Sequence, residues 1–162
     1  MLWSDANAIN PIKIVTDMQL SKSDFDYVTS KMPRPCVDLV FVCKGKTLLM
    51  RRLIEPDKGL WALPGGSVNL GEIVEQAAVR KAKEEAGIVI DEKELQLVGV
   101  FTYFGKTRQD ICATYRIELA EYPMVTFDFQ HDKAEWFIAL PSNASDNAKI
   151  QTTWSGQHGK EA

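Results

Sequence analysis

No stretch of the chain approaches the roughly 20 apolar residues a bilayer-spanning helix needs. The longest candidates, 37–43 and 95–104, are short and broken by charge, glycine or polar residues. The first 35 residues carry no apolar core of the kind a secretory leader has. No membrane role is expected. Cysteine is scarce and odd in number: Cys36, Cys43 and Cys112 are the only three, without a C-x-x-C spacing. This argues against a disulfide framework and predicts buried free thiols, and with them a reducing, cytoplasmic setting. Positive charge is not in excess either. Nineteen Lys and Arg face 22 Asp and Glu, a net −3, so bulk electrostatics favour neither nucleic acid nor anionic lipid. An acidic chain of this kind binds phosphate through a metal or a few placed cations. No internal repeat or low-complexity tract is present. What remains is 162 residues, 45% hydrophobic and 25% charged, the ordinary make-up of one soluble domain with one core.

Pattern and punctuation divide the chain as follows. Residues 1–20 show no period and read as an extension. Ser21-Lys22-Ser23-Asp24 resembles a capping box with Asp in the third place, and predicts a short helix over 22–31. Pro33 and Pro35 end it. A strand at 37–43, a Lys44-Gly45 turn and a strand at 46–52 read as a hairpin. A loop over 53–59 leads to Trp61-Ala62-Leu63-Pro64-Gly65-Gly66, a short strand running into a glycine turn. The strongest helix is 72–86, with Ile73, Val74, Ala77, Ala78 and Ala82 at helical spacing and Gly87 as its stop. Strands are expected at 95–103, 111–119 and 134–139, a loop at 105–110, and a weak helix near 147–153. Strands, helix, strands and a terminal helix suit a mixed α/β (α+β) sheet sandwiched by helices. The expected divisions are an extension with a short helix over 1–35, the domain over 36–155 and a tail over 156–162.

The chemistry is concentrated around the central helix. Glu84 and Glu85 sit in its last turn, where the macrodipole disfavours carboxylates. Two acids stacked there need compensation, and magnesium, a hard cation that takes carboxylates and phosphate oxygens, supplies it. Arg80 lies four residues before Glu84 and can hold it. Gly65 and Gly66 let backbone approach a metal or a phosphate closely. The whole segment, Gly66-x5-Glu72-x7-Arg80-Lys81-Ala82-x-Glu84-Glu85-x-Gly87-Ile88, resembles the Nudix box, G-x5-E-x7-R-E-U-x-E-E-x-G-U with U aliphatic. Of nine fixed positions eight are met. Lys81 is the departure, standing where the box has a Glu that in many Nudix enzymes binds metal or acts as general base. The resemblance implies a Nudix fold and a magnesium-dependent hydrolase, with manganese as the alternative ion, acting on a nucleoside diphosphate compound.

One Nudix branch lacks that Glu: the GDP-mannose mannosyl hydrolases, which cleave at the sugar anomeric carbon and release GDP and sugar. Gln130-His131-Asp132 followed by Trp136 is similar to their Q-H-D-x-x-x-W, and Ala144-Ser145-Asp146-Asn147 follows at a similar spacing. Asp24-Phe25 before Asp38, and Arg52 before Trp61, match as well. Carried over residue by residue, the resemblance implies that the Gly65 carbonyl, Glu85 and Gln130 bind magnesium, with Glu84 beside them. It implies that Asp38 contacts the nucleotide, Arg52 the diphosphate and Tyr115 the leaving group, and that His131 is the base for the attacking water. It also allows a homodimer. Ser67 and Tyr103 depart from the branch, which has Arg and His there. Three functions stay open: glycosyl hydrolysis of a nucleotide sugar, phosphoanhydride cleavage of ADP-ribose or a nucleoside triphosphate, and non-catalytic sensing of a nucleotide sugar.

Overall fold

The two faces of one strand account for most of the architecture. Arg34–Cys43 forms β1, and its side chains alternate between two apolar clusters. Val37, Leu39 and Phe41 enter the first, Val40 and Val42 the second. A strand covered on both faces reads as a near-continuous apolar run, as 37–43 does. The computed structural model describes residues 20–105 and 107–158, with side chains to 155. Most of the extension expected over 1–35, and 159–162 of the expected tail, lie outside the described residues.

Around β1 stand β2 (Lys46–Arg52), β3 (Trp61–Ala62), β4 (Gly65–Ser67), β5 (Gln96–Phe104), β6 (Gln109–Leu119) and β7 (His131–Phe137). They make one seven-stranded sheet with the path β3-β2-β1-β6-β5, to which β4 adds on β1 and β7 on β2. β1 and β6 are parallel from Arg34 opposite Asp110 to Cys43 opposite Leu119, and the remaining pairs are antiparallel. Helix α1 (Lys22–Thr29) precedes β1, α2 (Val74–Ala86) covers the first cluster, and α3 (Asp146–His158) contributes to the second. The expected mixed sheet between helices is present. So are the three free, buried thiols. Among the described residues no helix is long and apolar enough to cross a membrane.

The central helix begins two residues later than its periodicity predicts. Ile73 is the N-cap and is 55% exposed, so it is not part of the buried face. The reason is Glu72, whose carboxylate accepts from the Asn69 N–H (2.8 Å) and from Arg80 Nε (2.6 Å) and Nη2 (2.9 Å), which holds it in the preceding turn. The buried stripe is Ala77, Ala78, Ala82 and Ala86. Side chains this small let the helix axis lie close to β1 and β4, and that closeness brings Lys81 and Glu85 within reach of β4.

Gly87 closes α2 at φ 68°. Its N–H donates to Lys83 O and the next N–H, of Ile88, to Ala82 O, which satisfies the last carbonyls. A Cβ at Gly87 would lie 2.1 Å from Thr126 Oγ1. Gly87→Ala therefore combines a left-handed backbone penalty with a clash and should cost about 2 kcal/mol. Urea unfolding should show this as a lower midpoint at unchanged slope; a midpoint equal to that of the wild type would show that neither contact matters.

Candidate active site

Lys81 and Glu85 stand one helical turn apart on α2, facing β4. The Gly65 N–H donates to Glu85 Oε2 at 3.0 Å. No side chain fits at Gly65: a Cβ would lie 2.3 Å from Val37 O and 2.5 Å from Asp38 Oδ1. At Gly66 it would lie 2.8 Å from Lys81 Cε. Gly65 is thus the condition for bringing the acid from α2 against the strand backbone, and Gly66 leaves room for the Lys81 stem beside it.

Here the sheet opens into a cavity of about 380 Å³ whose lining includes Arg34, Asp38, Arg52, Lys81, Glu85 and Gln130. Arg34 is held by Asp110 in a fork (Nε–Oδ1 2.9 Å, Nη2–Oδ2 2.8 Å) and by Ser67 Oγ at 3.1 Å. Arg52 Nε donates to the carbonyl of Pro56 at 2.7 Å, which fixes the guanidinium to the loop after β2. Lys81 Nζ lies 3.1 Å from Glu84 Oε2 and 3.4 Å from Glu85 Oε1. Glu85 is 5% exposed. Burial pushes its carboxyl above the usual carboxylate range, and the Gly65 N–H with the charges of Lys81 and His131 only partly offsets this. Burial likewise raises Asp38 against hydrogen bonds from Gln151 and Cys112. A buried acid at rest in an unfavourable state is a common mark of a functional site.

Five of the sequence-expected residues meet in this cavity: Asp38, Arg52, Gly65, Glu85 and Gln130. Three do not line it. Glu84 is half exposed and is engaged by Arg80 Nη1 (2.9 Å) and Lys81. Tyr115, expected at the leaving group, points to the opposite face of the sheet, into the first apolar cluster. Its hydroxyl donates to Glu75 Oε1 at 2.9 Å, and burial with this bond pushes the phenol up to about 12. His131, expected on a loop, opens β7 opposite Arg52 and is 3% exposed. Its Nδ1 lies 2.8 Å from Asp128 Oδ1.

Sequence reasoning missed two residues. Asp128 is the hub behind Gln130: it takes the Gln130 N–H (3.0 Å) and side-chain amide (2.9 Å) as well as the His131 ring. With Nε2 committed to Asp128, Gln130 keeps Oε1 without a partner among the described residues. Gln151, on α3, donates to Asp38 Oδ2 at 2.8 Å, and its buried Oε1 has no partner among the described residues. Nothing in a polar C-terminal segment marks one glutamine as special. Asp128 carried a weak signal, as an acid two residues before Gln130.

Among the described residues no group of three His, Cys, Asp or Glu converges to hold a metal. The donors at hand are all oxygens: the Glu85 carboxylate, the Gln130 amide oxygen and the Gly65 carbonyl. The buried Glu85, the cavity-lining Gln130 with its Oε1 uncommitted, and the glycine cradle fit one hard cation that keeps part of its water shell.

A family model described as the NUDIX domain matches residues 32–140, and the chain belongs to the Nudix family. It is 44% identical over 70 residues to an ADP-ribose pyrophosphatase of Methanocaldococcus jannaschii, across 43% of this chain and 40% of that protein. It is 34% identical over 90 residues to a low-salt glycan biosynthesis protein of Haloferax volcanii, across 55% of this chain and 56% of that one. The chain thus spans about half the length of these curated relatives. Among solved structures, a MutT NUDIX hydrolase from Burkholderia pseudomallei superposes with a TM-score of 0.70 at 27% identity, covering 76% of this chain and 98% of that one.

Proposed function

We propose that the chain is a divalent-metal-dependent hydrolase of nucleoside diphosphate sugars. One observation carries the reading: a single cavity holds the buried Glu85 together with the cations Arg34, Arg52 and Lys81. The arginines suit the four or more oxygens of a diphosphate, which guanidinium groups bind in pairs. Glu85, Gln130 and the Gly65 carbonyl are the donors for magnesium, with manganese as the alternative. A divalent ion supplies Lewis-acid stabilisation of charge on the departing diphosphate. Asp128 fixes the Gln130 amide so that its oxygen is presented to the ion, and His131 in turn fixes Asp128. With Nδ1 donating to Asp128, Nε2 is the nitrogen that can take the proton of the attacking water, and we assign His131 that role. The two curated relatives support a substrate joining diphosphate to a sugar, since one is named for ADP-ribose and the other for glycan biosynthesis.

The bond to the sugar carbon is the one we assign. Lys81 stands where the box has the Glu that binds metal or acts as base in many Nudix enzymes, and the branch that lacks this Glu, similar to this chain at Gln130-His131-Asp132, cleaves at the sugar carbon. Hydrolysis of GDP-mannose and of ADP-ribose in heavy-oxygen water, with magnesium, tests this. GDP and labelled sugar is the expected outcome. A nucleoside monophosphate carrying label on phosphate would replace it with attack at phosphorus. If neither compound is turned over with magnesium or manganese, the hydrolase reading falls.

A further inference from the structure

We infer that Lys81 is a tethered cation that takes the place of a second divalent ion and serves the substrate diphosphate directly, so that the chain holds one metal. The inference rests on the diphosphate-sugar hydrolase reading of the cavity.

Three acids of the box surround this part of α2, and two are already neutralised from within the chain. Glu72 is held by Arg80 through both Nε and Nη2 and by the Asn69 N–H. Glu84 is held by Arg80 and by Lys81. Only Glu85 meets the cavity without an arginine partner, and its one charged neighbour at contact distance is the Lys81 ammonium at 3.4 Å. An ammonium lying within 3.4 Å of both Glu84 and Glu85 fills the space where a second ion bridging them would bind. A second dication beside it would meet strong Coulomb repulsion in a partly buried site.

An ordinary lysine on a helix surface looks different. Such a side chain is solvated, and its i,i+4 pair contributes little. The Lys81 side chain is 16% exposed and its partner Glu85 6%. Its stem packs on Gly66, where a Cβ would come within 2.8 Å of Cε and 3.2 Å of Nζ, so the strand is glycine where the lysine crosses it. The ammonium lines the same cavity as Arg34 and Arg52. When a cation takes Glu85, the flexible stem lets the ammonium turn from the carboxylate to phosphate oxygens in the cavity, exchanging one anionic partner for another. No bond is made or broken in that exchange.

Manganese binding to the full chain, followed by electron paramagnetic resonance and calorimetry without substrate, tests the count. Binding of ADP and GDP to the chain saturated with magnesium tests the diphosphate contact. The wild type should bind one Mn2+. Lys81→Met keeps the side-chain length and removes the charge: it should still bind one Mn2+, more tightly by about tenfold as the competing cation is gone, and should bind both diphosphates about tenfold more weakly. Lys81→Glu should gain a second Mn2+. Two ions in the wild type, or undiminished diphosphate binding by Lys81→Met, would overturn the inference, and the Met variant decides the matter even where Lys81→Glu does not fold. These readouts involve no turnover: an enzyme that hydrolyses nucleotide sugars with two ions sinks the Lys81 inference alone, whereas a chain inert towards all of them sinks the underlying reading.

Discussion

Glu85→Gln should lower kcat on the order of 10³-fold while leaving the chain at least as stable at neutral pH. The activity loss follows from removing the one buried carboxylate among the donors. A metal ion supplies several kcal/mol of charge stabilisation, and about 1.4 kcal/mol is a factor of ten in rate. The stability result has the opposite sign because of where the carboxylate sits. Burial raises the Glu85 carboxyl above its ordinary value of 4.5. The folded state therefore binds this proton more tightly than the unfolded state. The associated stability is fully present below pH 4.5 and is lost as pH rises through the higher folded value. Wherever the carboxyl is ionised, the wild type carries a charge that burial penalises, and glutamine does not. Thermal melts across pH 4 to 8 without metal should show the wild type declining relative to the variant. A variant markedly less stable than the wild type at pH 7 would mean that the carboxylate is there for the fold. One that keeps most of its kcat would mean that the metal is held elsewhere.

Asp110→Ala should be the most damaging substitution for stability, at about 3 kcal/mol. For a chain of this size that is a fall in Tm of roughly 10 °C. Asp110 is 5% exposed and makes two hydrogen bonds to Arg34 and a third to Arg108. Truncation strands the Arg34 guanidinium, itself mostly buried, without its anion. Burial acts to raise the Asp110 carboxyl, but the hydrogen bonds from Arg34 and the charges of Arg34 and Arg108 outweigh it and hold the group below its usual 3.8. Its contribution is therefore present above pH 3.8 and is lost as pH falls through the lower folded value. The acid limb of the wild-type stability profile should be steep and that of Asp110→Ala shallower. Differential scanning calorimetry reads both, and a Tm within about 2 °C of the wild type would show that the fork contributes no more than a surface pair.

The central helix, its stop at Gly87 and the i,i+4 relation of Lys81 to Glu85 were legible because they depend on neighbours in the chain. So were the hairpin of β1 and β2 and the glycine strand, each announced by turn chemistry. What could not be read was direction. Strand alternation places Cys112 and Tyr115 on opposite faces of β6, but β1 is apolar on both faces, so nothing local says which side holds the cavity. Tyr115, placed at the leaving group by the resemblance alone, lies under α2. The expected loop position of His131 gave way to a strand start because Arg52, far away in sequence, pairs with it. Gln151 depends on how α3 lies across the sheet, which no short-range pattern encodes.

Arg34 and Asp110 are 76 residues apart in sequence, and the parallel pairing of β1 with β6 joins two segments that no tight turn can connect. Local hairpins reward the chain early, whereas this pairing requires closure of a long loop before it returns any contacts. The cavity takes Arg34 and Asp38 from one of these strands and Cys112 from the other, so binding competence requires that closure. Any species that has folded its hairpins and its helix but not yet zipped these two strands together has the chemical groups without the pocket. Ligand present during refolding should thus act on the completed chain alone, slowing its unfolding and leaving the rate of its formation unchanged.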